Sequence, residues 1–111
     1  MSSRKMQVIL SSCPPAHAES LATKLVEQRL AACVKLLGPV QSIYRWDDDV
    51  QHDHEMVLMI KTTANRWNAL AEWMSEHHPY DVPELIALEA GKTAEGYLNW
   101  VLQQTAQAPG A

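Results

Sequence analysis

His52 and His54 stand two residues apart with Asp47, Asp48, Asp49 and Asp53 around them, a set of side chains able to attract a divalent cation. Residues two apart on a strand point the same way. At a loop tip, though, flexible ligands lose ordering entropy on binding, so a solvated acidic turn is the expected reading of this cluster. The two cysteines, Cys13 and Cys33, have neither CxxC spacing nor a zinc-finger histidine pattern. They read as reduced thiols, which fits a cytoplasmic location. No nucleophile stands beside a base in a recognisable pattern, and none of Gly38, Gly91, Gly96 and Gly110 is spaced to cradle a phosphate. The chain is not expected to be an enzyme.

With 111 residues, 47% of them hydrophobic, the chain can bury one core, so a single domain over residues 1–111 is expected. Its formal charge of −4 disfavours a nucleic-acid partner, which needs a basic face. The apolar run Val8 to Leu10 is too short for a signal peptide or a membrane span, so no targeting segment and no membrane partner are expected.

The elements that must position any site follow from periodicity. Met6, Val8 and Leu10 alternate with Gln7, Ile9 and Ser11 in a first strand that ends at Ser11-Ser12-Cys13-Pro14-Pro15. Ala18, Leu21, Ala22, Leu25, Val26 and Leu30 recur at helical spacing, predicting a helix from about Ala16 to Ala31. Cys33 to Trp46 reads as one strand kinked at Gly38-Pro39, and Val40 to Trp46 with Glu55 to Thr63 as a long antiparallel hairpin around a polar tip. Tyr44 and Trp46 share one face of it. They either form a partner surface or pack on the chain's own helices.

Thr62 or Thr63 is expected to cap a second helix that ends near His77-His78-Pro79, with Trp67, Leu70, Ala71 and Met74 as its stripe. Leu85 to Leu88 suits a short last strand, and Thr93 is expected to cap a third helix whose apolar face is Tyr97, Leu98, Val101 and Leu102. Residues 106–111 read as a frayed tail. The order βαββαβ plus a helix predicts an α+β, ferredoxin-like sandwich with an extra C-terminal helix and a long β2-β3 hairpin. Two helices on one face leave the other open, to be covered by the third helix or by another subunit. A sheet that binds RNA would carry aromatic and basic residues centrally, whereas Val57 to Ile60 offers aliphatics and methionines.

Four motifs give the chain a family resemblance. They are Ser11-Ser12-Cys13-Pro14, Glu27 to Cys33, Ser42-Ile43-Tyr44-Arg45-Trp46 and His78-Pro79-Tyr80-Asp81-Val82-Pro83-Glu84, with Ile60-Lys61-Thr62-Thr63 between the last two. In these, from about Val8 to about Leu102, the sequence resembles the CutA family of divalent-cation tolerance proteins. The resemblance implies a ferredoxin-like subunit in a homotrimer joined through its hairpins, and binding of divalent cations, copper above all, with zinc acceptable. It also implies a ligand set at Cys13, His78 and Glu84. In such a set the second imidazole nitrogen of His78 is oriented by a hydrogen bond, with Tyr80 or a carbonyl of the 78–84 turn expected as its acceptor. The plain alternative is a half-buried thiol, a histidine closing a helix and a surface carboxylate, because spacing gives no distances. The competing function is a regulatory or interaction module that binds a small metabolite or a partner protein between subunits. Members of the family often carry a basic, glycine-containing hairpin tip, so the acidic tip is this chain's own.

Overall fold

The computed structural model describes residues 5–107. Its elements are β1 (Met6–Cys13), α1 (Pro15–Glu27), β2 (Cys33–Trp46), β3 (Asp49–Thr63), a 3-10 turn (Ala64–Arg66), α2 (Trp67–His77), β4 (Ile86–Glu89) and α3 (Glu95–Thr105). The strands form one antiparallel sheet in the order β2-β3-β1-β4. This is the ferredoxin-like arrangement expected from the element order. Of the tail expected over residues 106–111, residues 108–111 lie outside the described part.

Pairing of Ile9 with Ile60 and of Ser11 with Leu58 puts these residues on one face of the sheet. There they join Leu21 and Leu25 of α1 and Leu70 and Met74 of α2 in the main core. The opposite face carries Val8 and Leu10 from β1. At one end α3 covers it, packing Val101 and Leu98 against Met6, Val8 and Ala32. Beyond α3 that face stays open, and Leu37, Ile86 and Leu88 remain 43%, 50% and 50% exposed. The third helix therefore covers only part of the second face.

Helix α1 stops at Glu27, four residues short of the expected end. Arg29 takes a left-handed φ of 59°, and the N–H groups of Arg29 and Leu30 donate to the carbonyls of Val26 and Leu25, which closes the helix in a Schellman motif. Glycine is usual at that position. Here the guanidinium of Arg29 donates to the carbonyl of Gln104 at 3.1 Å, at the end of α3, and its own carbonyl accepts from Arg66 Nε at 3.2 Å. Tertiary bonds thus hold an arginine where local preference favours glycine.

Neither expected threonine cap forms. Thr62 donates to the carbonyl of Leu30 at 2.7 Å, and Thr63 bonds the side chain of Asn65. The N-cap of α3 is Ala94, while the hydroxyl of Thr93 faces the sulfur of Met6. The hydroxyls of Thr62 and Thr93 serve contacts between elements, and that of Thr63, the residue before the 3-10 turn, bonds a side chain of that turn instead of a helix N–H.

The β2-β3 ladder runs from Cys33–Lys61 to Trp46–Asp49, with a register shift between Leu37 and Val40. Gly38 sits at the shift with φ 131°, and a Cβ there would lie 2.8 Å from the nitrogen of Val40 and 3.1 Å from the carbonyl oxygen of Glu55. Only glycine fits that bend. The tip is also shorter than expected, because Asp49 to His54 belong to the ladder and the turn is Asp47-Asp48 alone, both at positive φ. His52 and His54 are therefore strand residues, and the hairpin arm extends a body measuring 46 × 30 × 21 Å.

Candidate functional site

Where β1 ends, main-chain bonds bring three expected site residues to one place. The hydroxyl of Ser11 donates to the carbonyl of Glu84 at 2.7 Å. One residue on, the carbonyl of Ser12 accepts from Nε2 of His78 at 2.8 Å. Nδ1 of the same ring accepts the N–H of Tyr80 at 3.0 Å. A carbonyl needs a donor and an N–H needs an acceptor, so this ring is the neutral tautomer protonated at Nε2. Both of its nitrogens are engaged.

Helix α2 ends at His77 because His78 precedes Pro79 and is extended, with ψ 142°. That turn swings the His78 ring under β1, where the side chain is 7% exposed. Tyr80, expected as an acceptor for the ring, instead donates its N–H to it. The carbonyl acceptor comes from β1, outside the turn.

Cys13 points into the main core and is fully buried. Burial, and then the carboxylate of Glu55, push its thiol up to about 11. Glu84 is exposed at the cleft described below. The structure thus gathers Cys13, His78 and Glu84 at one end of β1 without joining them. Among the described residues no three His, Cys, Asp or Glu side chains are set to hold a metal ion. As arranged, the thiol is protonated and the imidazole has no free lone pair, so the set does not fit a copper or zinc ion.

Sequence reasoning missed what stands beside it. A cleft of about 690 Å³ opens between the hairpin arm and the 78–84 turn, walled by Tyr44, Trp46 and Tyr80, with Glu55 at its base. Glu55 is only 7% exposed and accepts the Tyr80 hydroxyl at 2.8 Å. Burial, then that bond and the charge of Glu55, raise the Tyr80 phenol. Tyr44 donates to Asp53 on the arm, and this bond is the chief cause of its own raised pKa. Carboxylates of Glu55, Asp81 and Glu84 line the cleft, and among the described residues no Lys, Arg or His does. Glu55 reads in sequence as the first residue of a hairpin strand, and nothing local marks it as buried.

Over residues 7–104 the sequence matches the family model described as CutA1 divalent ion tolerance protein. The chain belongs to the CutA1 family. It is 40% identical over 100 residues to a divalent-cation tolerance protein CutA of Thermus thermophilus, covering 89% of this chain and 97% of that one. The fold is that of other CutA1 structures. A CutA1 from Oryza sativa superposes with a TM-score of 0.90 at 33% identity, covering 97% of this chain and all of the other. A structure described as a PII-like protein CutA from Nostoc, in apo form, superposes at 0.86 with 34% identity, covering 90% and 97%.

Proposed function

We propose that this chain is a homotrimeric binding protein of the divalent-cation response, copper included, and that its ligand site is the acidic cleft between the hairpin arm and the 78–84 turn. One observation carries this reading. Glu55 is a buried carboxylate whose partner is a phenol, and among the described residues no basic side chain lines its cleft. A buried charge without a counter-charge is costly, so a cation entering beside it is favoured. The raised Cys13 and Tyr80 pKa values disfavour nucleophilic chemistry there and support binding over catalysis. Both cysteines are free, in keeping with a reducing cytoplasm.

Copper on Cys13, His78 and Glu84 requires two prior events. The thiol must lose its proton, and the His78 ring must release the N–H of Tyr80 or the carbonyl of Ser12. Calorimetry with Cu²⁺ and with Zn²⁺ on the wild type, Glu55→Gln, Cys13→Ser and His78→Ala separates the sites. Loss of binding in Glu55→Gln alone supports the cleft. Loss in the other two alone moves the cation to the three-residue set.

The aromatic walls favour a second reading, in which a small organic cation occupies the cleft. An ammonium group above Tyr44, Trp46 or Tyr80 and beside Glu55 gains both cation-π and charge attraction. Primary and quaternary amines raising the melting temperature of the wild type, but not of Glu55→Gln, support it.

A further inference from the structure

The hairpin arm separates its ionisable groups by face. Pairing of Ser42 with Asp53, Tyr44 with Gln51 and Trp46 with Asp49 puts those carboxylates on the Tyr44 face, and the Tyr44–Asp53 hydrogen bond agrees. The other face carries Gln41, Ile43 and Arg45 from β2 and Val50, His52 and His54 from β3. His52 lies opposite Ile43 and His54 opposite Gln41, and both imidazoles are exposed.

The other histidines of this end of the protein are occupied. His77 bonds the carbonyl of Trp73 through Nδ1 at 2.9 Å and stacks on the Trp73 ring, and His78 has both nitrogens bonded. Among the described residues no hydrogen bond engages the ring of His52 or His54. Their lone pairs are free for another partner.

We infer that His52 and His54 form a two-imidazole chelate for a divalent cation of the copper, nickel and zinc group, on the arm face away from the cleft. Two residues along a strand span roughly 6.8 Å between Cα atoms, from a rise of about 3.4 Å each. Two imidazoles standing on the same side at that spacing can lean together so that each places a nitrogen about 2.0–2.1 Å from one ion. Water fills the remaining positions. Both residues sit in a paired ladder that holds their backbone before any ion arrives, so they forfeit less ordering entropy than ligands at a flexible tip. Imidazole selects this group of metals over magnesium and calcium, and copper binds tightest in the ordinary order of stability. The charge of Arg45 opposes a cation on this face, but its guanidinium reaches toward the turn, 3.4 Å from the carbonyl of Asp48. The site uses neither Glu55 nor Cys13, so it stands or falls apart from the cleft.

The test is calorimetric titration of Cu²⁺ and of Mg²⁺ into the wild type, His52→Ala, His54→Ala, Asp49→Asn and Glu55→Gln. All these positions except Glu55 are exposed, so the variants fold. The expected result is copper bound at this site in the wild type and no comparable magnesium. Either histidine variant then weakens copper by about tenfold or more, because the second imidazole of a chelate acts at high effective concentration. Asp49→Asn leaves that affinity unchanged, and Glu55→Gln removes only copper held in the cleft, so the histidine-dependent uptake persists in it. Loss of affinity in Asp49→Asn equal to that in the histidine variants would mean general attraction to an acidic arm and overturn the chelate. So would copper binding indifferent to both histidines, or carried wholly by one of them.

Discussion

Nε2 of His78 donates to the carbonyl oxygen of Ser12 at 2.8 Å, joining the end of α2 to the end of β1. With the Ser11–Glu84 bond it fastens both ends of the 78–84 turn to consecutive residues of one strand. The turn that walls the cleft is therefore held from its base.

His78→Ala removes the donor to Ser12 and the acceptor for Tyr80 in a buried place, which costs about 1–3 kcal/mol for each group left unpaired. Urea unfolding should show a lower midpoint in this variant. His78→Gln, which restores a donor and an acceptor, should recover part of the loss; no recovery would mean that ring packing against Tyr80 matters more than the bonds.

The two thiols should behave differently toward alkylation. Cys13 is fully buried with its thiol pushed up to about 11, whereas Cys33 is half-buried. Mass spectrometry after iodoacetamide treatment near neutral pH should find Cys33 labelled first and Cys13 only on unfolding. The pH consequence follows from the direction of the shift. Folding favours the protonated thiol, so its share of the stability is present below pH 9 and is lost as pH rises from there through about 11. Cys13→Ser should flatten the alkaline decline; an unchanged decline would assign it to the tyrosines instead.

The fold was legible because its signals are local. Alternation in Met6 to Leu10, the kink at Gly38-Pro39 and the helical stripe of Leu21 and Leu25 each depend on near neighbours. The end of α1 was not, since Arg29 adopts a left-handed φ that is held by Gln104 and Arg66, 75 and 37 residues away. The same holds for the site. Motifs mark Cys13, His78 and Glu84, but whether the thiol is protonated depends on its burial in the core and then on Glu55, and whether the imidazole is free depends on Ser12 and Tyr80. Glu55 itself, and the cleft it anchors, come from packing between the arm and the 78–84 turn.

Two consecutive aspartates at positive φ make the Asp47-Asp48 turn a conformational matter more than an electrostatic one. Asn shares the tolerance of Asp for the left-handed region, so Asp47→Asn and Asp48→Asn should stay within about 0.5 kcal/mol of the wild type. Asp48→Gly should stabilise by a few tenths up to about 1 kcal/mol, and Asp47→Val should destabilise by at least that much. Melting midpoints decide. Equal losses from the Asn and Val variants would return the turn to a role for charge.

Assembly is the last expectation, and its ground is the apolar surface that one chain leaves uncovered. Leu37, Ile86 and Leu88 lie on the open sheet face beyond α3, and Trp46 on the arm is 54% exposed. Tyr44, 40% exposed, stands beside Trp46 on the arm, so both rings are available to a partner surface. Strands β2 and β4 are also both edges, and free edges invite pairing. A second chain laid on these residues would bury a patch larger than scattered surface leucines form, while closed symmetry would leave no edge for further growth. Sedimentation at micromolar concentration should therefore give a species of three times 12.4 kDa. Leu88→Asp should dissociate it by burying a charge without a partner, and Trp46→Ala should weaken it through lost aromatic contact. Asp48→Gly should leave the mass unchanged. A wild type that sediments as a monomer would end the trimer proposal, and dissociation by Asp48→Gly but not by Leu88→Asp would place the contact at the turn instead of the open sheet face.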